Sequence, residues 1–494
     1  METLTTIHKL LKEDTITVPR YQRAYSWDSP SKTVKHAQVA VFLDDILEQI
    51  NSASQSSFYL GHFLFEKDGE GYKVIDGQQR LTTATILLSA AFTSLQRLRE
   101  LTESEKMLYE DTLKRCSHIY RFSTVDYDNQ FFRDYVINQT RKDRSDLPTV
   151  SATRIATAFD YYITELEDYD EPGLNRLMHG ILEANCTTHT IENEAQAIQM
   201  FIFQNNRGKL PTNLEIVKAQ FMYHAHLHGG DNASLIISEI RERFETIYRS
   251  ISVLEGAVNE DEILTYTLKV HFNSIWADNA LERISNELSR DGSMEFVRDF
   301  SQSLEQSFEK LSLFYGEHEK NNFNVHSIIT LGGIGIALPF IIKAYRFGLE
   351  TEKISTLCGA LETLVLRHRL IGTRASLGSR IRDVFEGFTQ ATADIQPIID
   401  RIQLLKSTED WWWAYWNDDN LERSILGGIS PSVARHLLWK YENHLRTKGK
   451  AGYQPQRFDA IDSPELEHIA PVTEPANVAH GYGSYDDAFQ QQCL

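Results

Sequence analysis

The chain has 494 residues, of which 50 are Lys or Arg and 69 are Asp or Glu, and its formal net charge is −19. This length exceeds what one hydrophobic core usually fills, so two or three domains are expected. The negative charge excludes nonspecific adhesion to nucleic acid over the whole surface, because Lys and Arg supply most of that affinity. The four cysteines are scattered and form no C-x-x-C pair, which argues against a zinc or dithiol site.

The sequence also argues against a secreted or membrane-bound protein. Residues 1–6 contain neither the basic nor the apolar part of a secretory signal. The most apolar run, residues 328–342, is shorter than the ~20 residues that a bilayer span needs, and glycines and a proline interrupt it. We therefore predict a cytoplasmic protein without a membrane partner, in which this run forms a buried helix.

The first notable segment in chain order is residues 18–28, called the aromatic segment below, in which two Tyr, one Trp and two Arg stand close together. Pro19 disfavours a helical conformation at Val18, so the segment is expected to be irregular. Interleaved aromatic and Arg side chains can stack on a base and pair with phosphates. Taken alone, the segment is at least as compatible with a structural role.

The most informative pattern is a strand that turns directly into a helix. Strands are predicted over residues 58–65 and 72–76, and an amphipathic helix is predicted before them, over 34–50. Apolar spacing predicts a further helix after Gly77, and the N–H groups of a first helical turn suit an anion. Arg80 adds a planar guanidinium that matches phosphate oxygens. The alternative is an ordinary corner with a solvated Arg, because the glycine spacing of a P-loop is missing.

The third segment is residues 201–212, where a predicted helix ends in an Asn-Asn-Arg-Gly loop. Gly208 is expected to terminate this helix, and a new helix is expected to begin near Thr212 or Asn213. From about residue 101 to 450 the apolar spacing is almost wholly helical. This region is therefore predicted to form a helical bundle.

In this order and spacing, the three segments closely resemble the N-terminal domain of GmrSD-type, modification-dependent restriction endonucleases and related phage-defence proteins. The matching motifs are V-P-R-Y-Q-R-A-Y-S-W, Y-K-V-I-D-G-Q-Q-R-L-T-T and F-I-F-Q-N-N-R-G, within residues 10 to 230 or so. The resemblance implies a ParB/sulfiredoxin-like fold that holds a nucleoside triphosphate at the D-G-Q-Q-R turn and hydrolyses it. It implies catalytic roles for Asp76 and Arg80, and nucleotide-binding roles for Tyr21, Gln22, Arg23, Gly77, Gln78, Gln79, Arg80, Asn205, Arg207 and Gly208.

A second resemblance lies at residues 465–471, E-L-E-H-I-A-P, which is similar to the first half of an HNH nuclease motif of the kind fused to this N-terminal domain. The resemblance implies that His468 deprotonates the attacking water and that Glu467 supports Mg²⁺ or another divalent cation. The second half of the motif does not follow in the sequence. Truncation is the preferred explanation, and the alternatives are a partner that supplies the rest and a degenerate module.

One candidate stripe for DNA contact lies in the helical region, and its predicted DNA-binding residues are Arg367, Arg369 and Arg374. The rest of the stripe is His368, Arg380 and Arg382. Basic side chains grouped in this way can neutralise DNA phosphates. The alternative is a solvated helical face that is balanced by the acidic remainder, since no aromatic side chains are interleaved there.

The sequence thus predicts an α+β fold: a small ParB/sulfiredoxin-like α/β domain, a large α-helical bundle and an incomplete HNH segment of the ββα-metal type. The predicted domains are residues 1–100 for nucleotide binding, 101–230 for a helical extension that completes the nucleotide site, 231–450 for a helical domain and 451–494 for the start of the HNH module.

The predicted function is anti-phage defence, in which hydrolysis of a nucleoside triphosphate controls HNH cleavage of double-stranded DNA that is foreign or modified. The alternative is a non-catalytic nucleotide- or DNA-binding regulatory module that recruits a separate effector. Assembly into a homo-oligomer is open in both cases.

Overall fold

The computed structural model describes residues 4–31, 37–52, 58–116, 118–141, 143–147, 149–191, 211–276, 279–448 and 454–462. The chain divides into two compact units. Unit 1 comprises Met1–Asp261 and Leu281–Phe308, and unit 2 comprises Glu262–Ala280 and Glu309–Leu494. The domain boundaries drawn from the sequence stay predictions.

Among the described residues, the strands form a six-stranded sheet and a two-stranded sheet. They are β1 (Leu4–Thr6), β2 (Ile16–Thr17), β3 (Tyr59–Asp68), β4 (Gly71–Asp76), β5 (Lys114–Arg115), β6 (Ile119–Tyr120), β7 (Phe122–Ser123) and β8 (Asn185–Ile191). The large sheet has the order β1-β8-β3-β4-β2-β7, and β5 pairs with β6. Strands β3 and β4 form an antiparallel hairpin, while β8 runs parallel to β3 and β2 runs parallel to β4.

The helices follow the strands along the chain and make up most of both units. They are α1 (Ile7–Glu13), α2 (Gln38–Asn51), α3 (Gln78–Leu98), α4 (Glu103–Thr112), α5 (Asp126–Phe132), α6 (Val150–Glu165), α7 (Glu171–Leu182), α8 (Asn213–His228), α9 (Ala233–Leu254), α10 (Glu260–His271), α11 (Ala280–Leu288), α12 (Ser293–Leu313), α13 (Glu319–Asn321), α14 (Phe323–Leu331), α15 (Leu338–Arg346), α16 (Thr351–Ile371), α17 (Leu377–Gly387), α18 (Gln396–Ser407), α19 (Asp418–Leu426) and α20 (Pro431–Thr447).

Helix α3 lies at the centre of the unit 1 core. Every residue from Leu81 to Leu95 in this helix is buried, and the helix packs against α6 and α7. The hydroxyl groups of its threonines donate to carbonyl oxygens one turn earlier in the helix, so these hydroxyl groups are satisfied. The start of α3 is thereby held firmly at the end of β4.

The structure confirms the predicted fold class, because a small N-terminal sheet precedes a large helical region. The strands predicted over 58–65 and 72–76 are β3 and β4, and the helix predicted over 34–50 is α2 in its described part. The expectation of an almost wholly helical chain after residue 101 is wrong at the short strands β5, β6 and β7 and at the longer strand β8. Most of its side chains are polar, so the apolar alternation typical of a strand is missing, yet β8 pairs with β1 and β3.

Unit 2 is helical in its described residues, with α16 packed against α14, α19 and α20. Most of the apolar run at 328–342 is buried, but the prediction of a single helix is wrong: the run forms parts of α14 and α15, because Gly332 and Gly333 adopt positive φ angles between them. No helix in the described ranges combines the length and apolar character needed to cross a membrane.

Candidate functional site

The candidate site is the strand-helix turn, residues 76–80, where β4 ends and α3 begins. Gly77 caps α3 in the left-handed conformation with φ 91°. A Cβ added to Gly77 would lie 2.4 Å from Cδ1 of Phe63, so only glycine fits both the backbone and the space. The N–H groups in the first turn of α3 have no partner inside the helix and suit a negatively charged ligand.

The guanidinium of Arg80 is held against the sheet beside this turn. It donates to the carbonyl oxygens of Leu60 at 3.1 Å and of His62 at 2.8 Å. It also lies 5.1 Å from the ring centroid of Phe63 and 3.5 Å from the carboxylate of Asp76. Arg80 therefore joins β3 to α3 and places a positive charge at the turn.

The carboxylate of Asp76 is largely withdrawn from water. Burial raises its pKa, while the charge of Arg80 and a hydrogen bond from the N–H of Gly77 oppose this rise. A carboxylate with a raised pKa takes up a proton more readily and suits a general base. Burial also lowers the pKa of His62, so that its imidazole is neutral at pH 7.

Side-chain hydrogen bonds of two glutamines hold the aromatic segment against the strand-helix turn. Gln79 accepts a hydrogen bond from the N–H of Ser26 at 2.9 Å and donates to the carbonyl of Ala24 at 3.0 Å. Gln22 donates to the carbonyl of Ile75, at the end of β4, at 3.0 Å. The segment contains no helix or strand, as predicted, and it lies across the turn that the second motif forms.

Tyr21 and Arg23 project from the aromatic segment to acidic side chains of unit 1. The Tyr21 hydroxyl donates to Glu66 at 2.9 Å. Arg241 lies 4.8 Å from the Tyr21 ring centroid and 3.3 Å from Glu66. Arg23 lies 3.3 Å from the buried carboxylate of Glu260. These contacts fix the positions of the Tyr21 and Arg23 side chains in unit 1.

Two buried polar atoms near the turn have no hydrogen-bond partner among the described residues. They are Oε1 of Gln78, in the first turn of α3, and Nε2 of His62, on β3. His62 is near enough to Asp76 for the two charges to influence each other, and its backbone carbonyl bonds to Arg80. Both unsatisfied atoms therefore belong to the surroundings of the strand-helix turn.

The motifs did not indicate the side chains that complete these surroundings, namely His62, Glu66, Lys218, Arg241 and Glu260. One signal was available for Lys218, because it falls on the apolar stripe of α8 and is buried there. The other four depend on contacts between segments far apart in the chain, which residue spacing does not reveal.

Five residues with predicted roles lie outside the described residues. They are Asn205, Arg207 and Gly208 of the third motif, and Glu467 and His468 of the HNH-like segment. Their roles stay predictions.

The members of the predicted DNA stripe lie in different environments of unit 2. Arg367 is buried, where it donates to the carbonyl of Trp416 at 2.9 Å and to Asp418 at 2.6 Å. Arg369 donates to a backbone carbonyl just after α14 at 3.1 Å. Arg374 is exposed. Arg367 and Arg369 thus stabilise the helical packing, and contact of the stripe with DNA stays a prediction.

Glu319, His326 and Asp459 bring three potential metal-ligating atoms within 4.8 Å of one another in unit 2. Both ring nitrogens of His326 are engaged, Nδ1 with Glu319 and Nε2 with the N–H of Phe458. Arg457 lies 2.6 Å from Glu319 and 2.7 Å from Asp459. A cation would face a guanidinium and occupied ligand atoms, so this cluster does not fit a metal site. It attaches the last described segment to unit 2.

Comparison with known families places this geometry in context. The family model described as GmrSD restriction endonuclease, N-terminal domain, matches residues 7–222. The comparison with curated proteins gives no match. The matched range contains the aromatic segment, the strand-helix turn and most of α8, which confirms the resemblance drawn from the three motifs. Residues 7–222 therefore form a domain of the GmrSD-type restriction family.

Proposed function

We propose that the strand-helix turn binds and hydrolyses a nucleoside triphosphate, and that the nucleotide state controls DNA cleavage by the HNH-like segment. The observation that carries the nucleotide site is the pair of unsatisfied buried atoms, Gln78 Oε1 and His62 Nε2. Each such atom costs ~1–3 kcal/mol when it is left unpaired, so a ligand or an ordered water that satisfies it stabilises the site. A bound polar ligand with its ordered water supplies the missing partners.

The groups at the turn suit phosphate in particular. The N–H groups and the dipole of the 21-residue helix α3 favour an anion at its N-terminus. Gly77 carries no side chain, so phosphate oxygens are able to approach the backbone. The charge of Arg80, fixed by two carbonyl oxygens, offsets the negative charge of the ligand.

Asp76 is the proposed base for hydrolysis. A water molecule attacks the terminal phosphorus, the bond to the bridging oxygen of the diphosphate breaks, and a proton of the water passes to the Asp76 carboxylate. The raised pKa of Asp76 favours this proton transfer. The positive charge at Arg80 stabilises the charge that develops on the phosphate oxygens.

DNA cleavage is the proposed output of the nucleotide cycle. The family description names a restriction endonuclease, so foreign or modified double-stranded DNA is the expected substrate class. In this proposal His468 would activate the water that attacks the DNA phosphate, and Glu467 would help to hold a divalent cation, which would supply charge stabilisation for the leaving oxygen.

One observation favours a second function, a nucleotide-binding module that recruits a separate effector without hydrolysis. The Asp76 carboxylate already accepts the Gly77 N–H and lies beside Arg80. A carboxylate whose oxygens are engaged in this way is also suited to a purely structural role. Under this reading the protein binds a triphosphate but releases no phosphate.

Phosphate release from ATP, GTP, CTP and UTP, with and without DNA, tests the proposal. The variants are Asp76→Asn and, as a matched control on the same hairpin, Asp68→Asn, whose carboxylate is exposed and pairs with Lys73. We expect wild-type turnover of at least one triphosphate, loss of turnover with retained binding in Asp76→Asn, and no change in Asp68→Asn. Binding without turnover by the wild type supports the second function, and absence of binding refutes both.

A further inference from the structure

Lys218 stands on α8 among residues that form its buried face. Leu214, Val217 and Phe221 have no exposed surface, and only 7% of Lys218 is exposed. Lys is almost never buried to this degree unless its charge is paired. In the described part of the chain, no carboxylate lies within ion-pair distance of the Lys218 ammonium. Packing alone does not explain a lysine at this position, since an apolar side chain fills it equally well.

The Lys218 ammonium is surrounded by one carbonyl oxygen and three aromatic rings. Nζ donates to the backbone carbonyl of Tyr21. It lies 5.0 Å from the ring centroid of Tyr21, 5.3 Å from that of Tyr248 and 5.9 Å from that of Phe244. Aromatic faces stabilise a cation more weakly than a carboxylate does in a buried place. The stabilisation of the protonated form of Lys218 is therefore weak.

The carbonyl that Lys218 holds belongs to Tyr21, in the aromatic segment. Tyr21 lies within a tight turn that is closed by the N–H of Gln22 donating to the carbonyl of Pro19 at 2.9 Å. The side chain of Gln22 then reaches the carbonyl of Ile75 at the end of β4. Lys218 thus holds the Tyr21 backbone, and β4, the strand that leads into the strand-helix turn, accepts the hydrogen bond from the Gln22 side chain.

We propose that Lys218 is a positioning residue, whose ammonium holds residues 21–23 over the end of β4, and that loss of its proton weakens triphosphate binding. The inference rests on the proposed nucleotide site. A charged donor holds a carbonyl oxygen more strongly than a neutral amine does. The protonated form therefore keeps Gln22 and Arg23 in place, and the neutral form loosens them.

Other titratable groups face Lys218 from each neighbouring element. They are Glu215 on α8, Tyr21 with Glu66 and Arg241 around its ring, and Tyr248 on α9, which is influenced by Arg23 and Glu260. Burial raises the pKa of both tyrosines, so they stay neutral near pH 7. Burial lowers the pKa of Lys218 to about 7, with Glu215 opposing the change. The Lys218 side chain is therefore expected to change charge between pH 6 and 8.5.

The test is calorimetric titration of the full chain with ATP, GTP, CTP and UTP between pH 6 and 8.5. The variants are Lys218→Arg, which stays charged, and Lys218→Met, which is never charged. The matched control is Lys106→Met, at an exposed lysine that pairs with Glu103. Thermal unfolding of each variant checks the fold, and Lys218→Met keeps the test valid if the larger arginine does not fit.

We expect wild-type affinity, relative to that of Lys218→Arg, to fall about fivefold as the pH rises through 7. Lys218→Met should bind about fivefold more weakly than the wild type at pH 6 and equally at pH 8.5. Lys106→Met should follow the wild type. A folded Lys218→Met that binds like the wild type at pH 6 overturns the inference and leaves the nucleotide site standing. A wild-type chain that binds no triphosphate at any pH overturns both.

Discussion

Replacing Gly77 by Ala is expected to destabilise the start of α3 and to abolish triphosphate binding. Gly77 has φ +91°, and a side chain in this left-handed region costs ~1–2 kcal/mol. The added Cβ would lie 2.4 Å from Cδ1 of Phe63, a ring that is fully buried and has little room to move. Overpacking of this kind costs a further ~1–3 kcal/mol. The two effects together amount to about 2–5 kcal/mol.

Gly69 provides the matched control for this substitution. It also has a positive φ, +60°, but no atom lies within 4 Å of an added Cβ. Gly69→Ala should therefore lose only the ~1–2 kcal/mol of backbone strain. Amide hydrogen exchange in α3 of the full chain measures the loss locally, without assuming that both units unfold in one step. Equal protection of α3 in the two variants would refute the reasoning.

Three further predictions concern Arg80, Lys218 and His468. Arg80→Ala removes two hydrogen bonds to β3 carbonyl oxygens, so it should destabilise unit 1 by about 2–4 kcal/mol in thermal unfolding. It should also raise the triphosphate dissociation constant about ten- to a hundredfold, whereas Arg80→Lys should keep part of the affinity. Lys218→Met should stabilise the protein by roughly 2–4 kcal/mol at pH 6. The pKa of Lys218 is about 7 in the folded protein, below its ordinary 10.5, so the unfolded chain binds this proton more strongly. The free energy of unfolding of the wild type should therefore increase relative to that of Lys218→Met as the pH rises from 7 towards 10. Finally, in a version of the protein that carries a complete HNH module, Mg²⁺-dependent plasmid nicking should disappear in His468→Ala while phosphate release stays unchanged; nicking that persists would remove His468 from the proposed nuclease site.

The parts of the fold that depend on neighbouring residues could be predicted from the sequence. The run from residue 72 to Asp76, followed by Gly77 and an apolar stretch, gave β4 and α3 because a glycine allows the left-handed turn between them. Strand β8 could not be found in this way, because Asn185–Ile191 is stabilised by pairing on both sides and not by an apolar alternation of its own. Its place in the sheet depends on β1 and β3, which are distant from it in the sequence.

The candidate site also combines parts that the sequence predicted with contacts that depend on the tertiary structure. Motif resemblance located the strand-helix turn and the aromatic segment, which the structure brings together through Gln22 and Gln79. It gave no indication that Arg80 is bound to β3 carbonyls, nor that Lys218 holds the Tyr21 carbonyl. A long side chain can reach partners in many directions, so its contacts are decided by segments that the local sequence does not specify.

The claim that the strand-helix turn is a nucleotide site is tested most directly by amide hydrogen exchange of the full chain with and without a saturating triphosphate. The account predicts slower exchange at residues 76–81 and in the aromatic segment, because phosphate oxygens accept the free N–H groups at the start of α3. Exchange in α16 of unit 2 should not change and serves as the internal reference. A triphosphate that binds in calorimetry but leaves residues 76–81 unprotected would contradict the account.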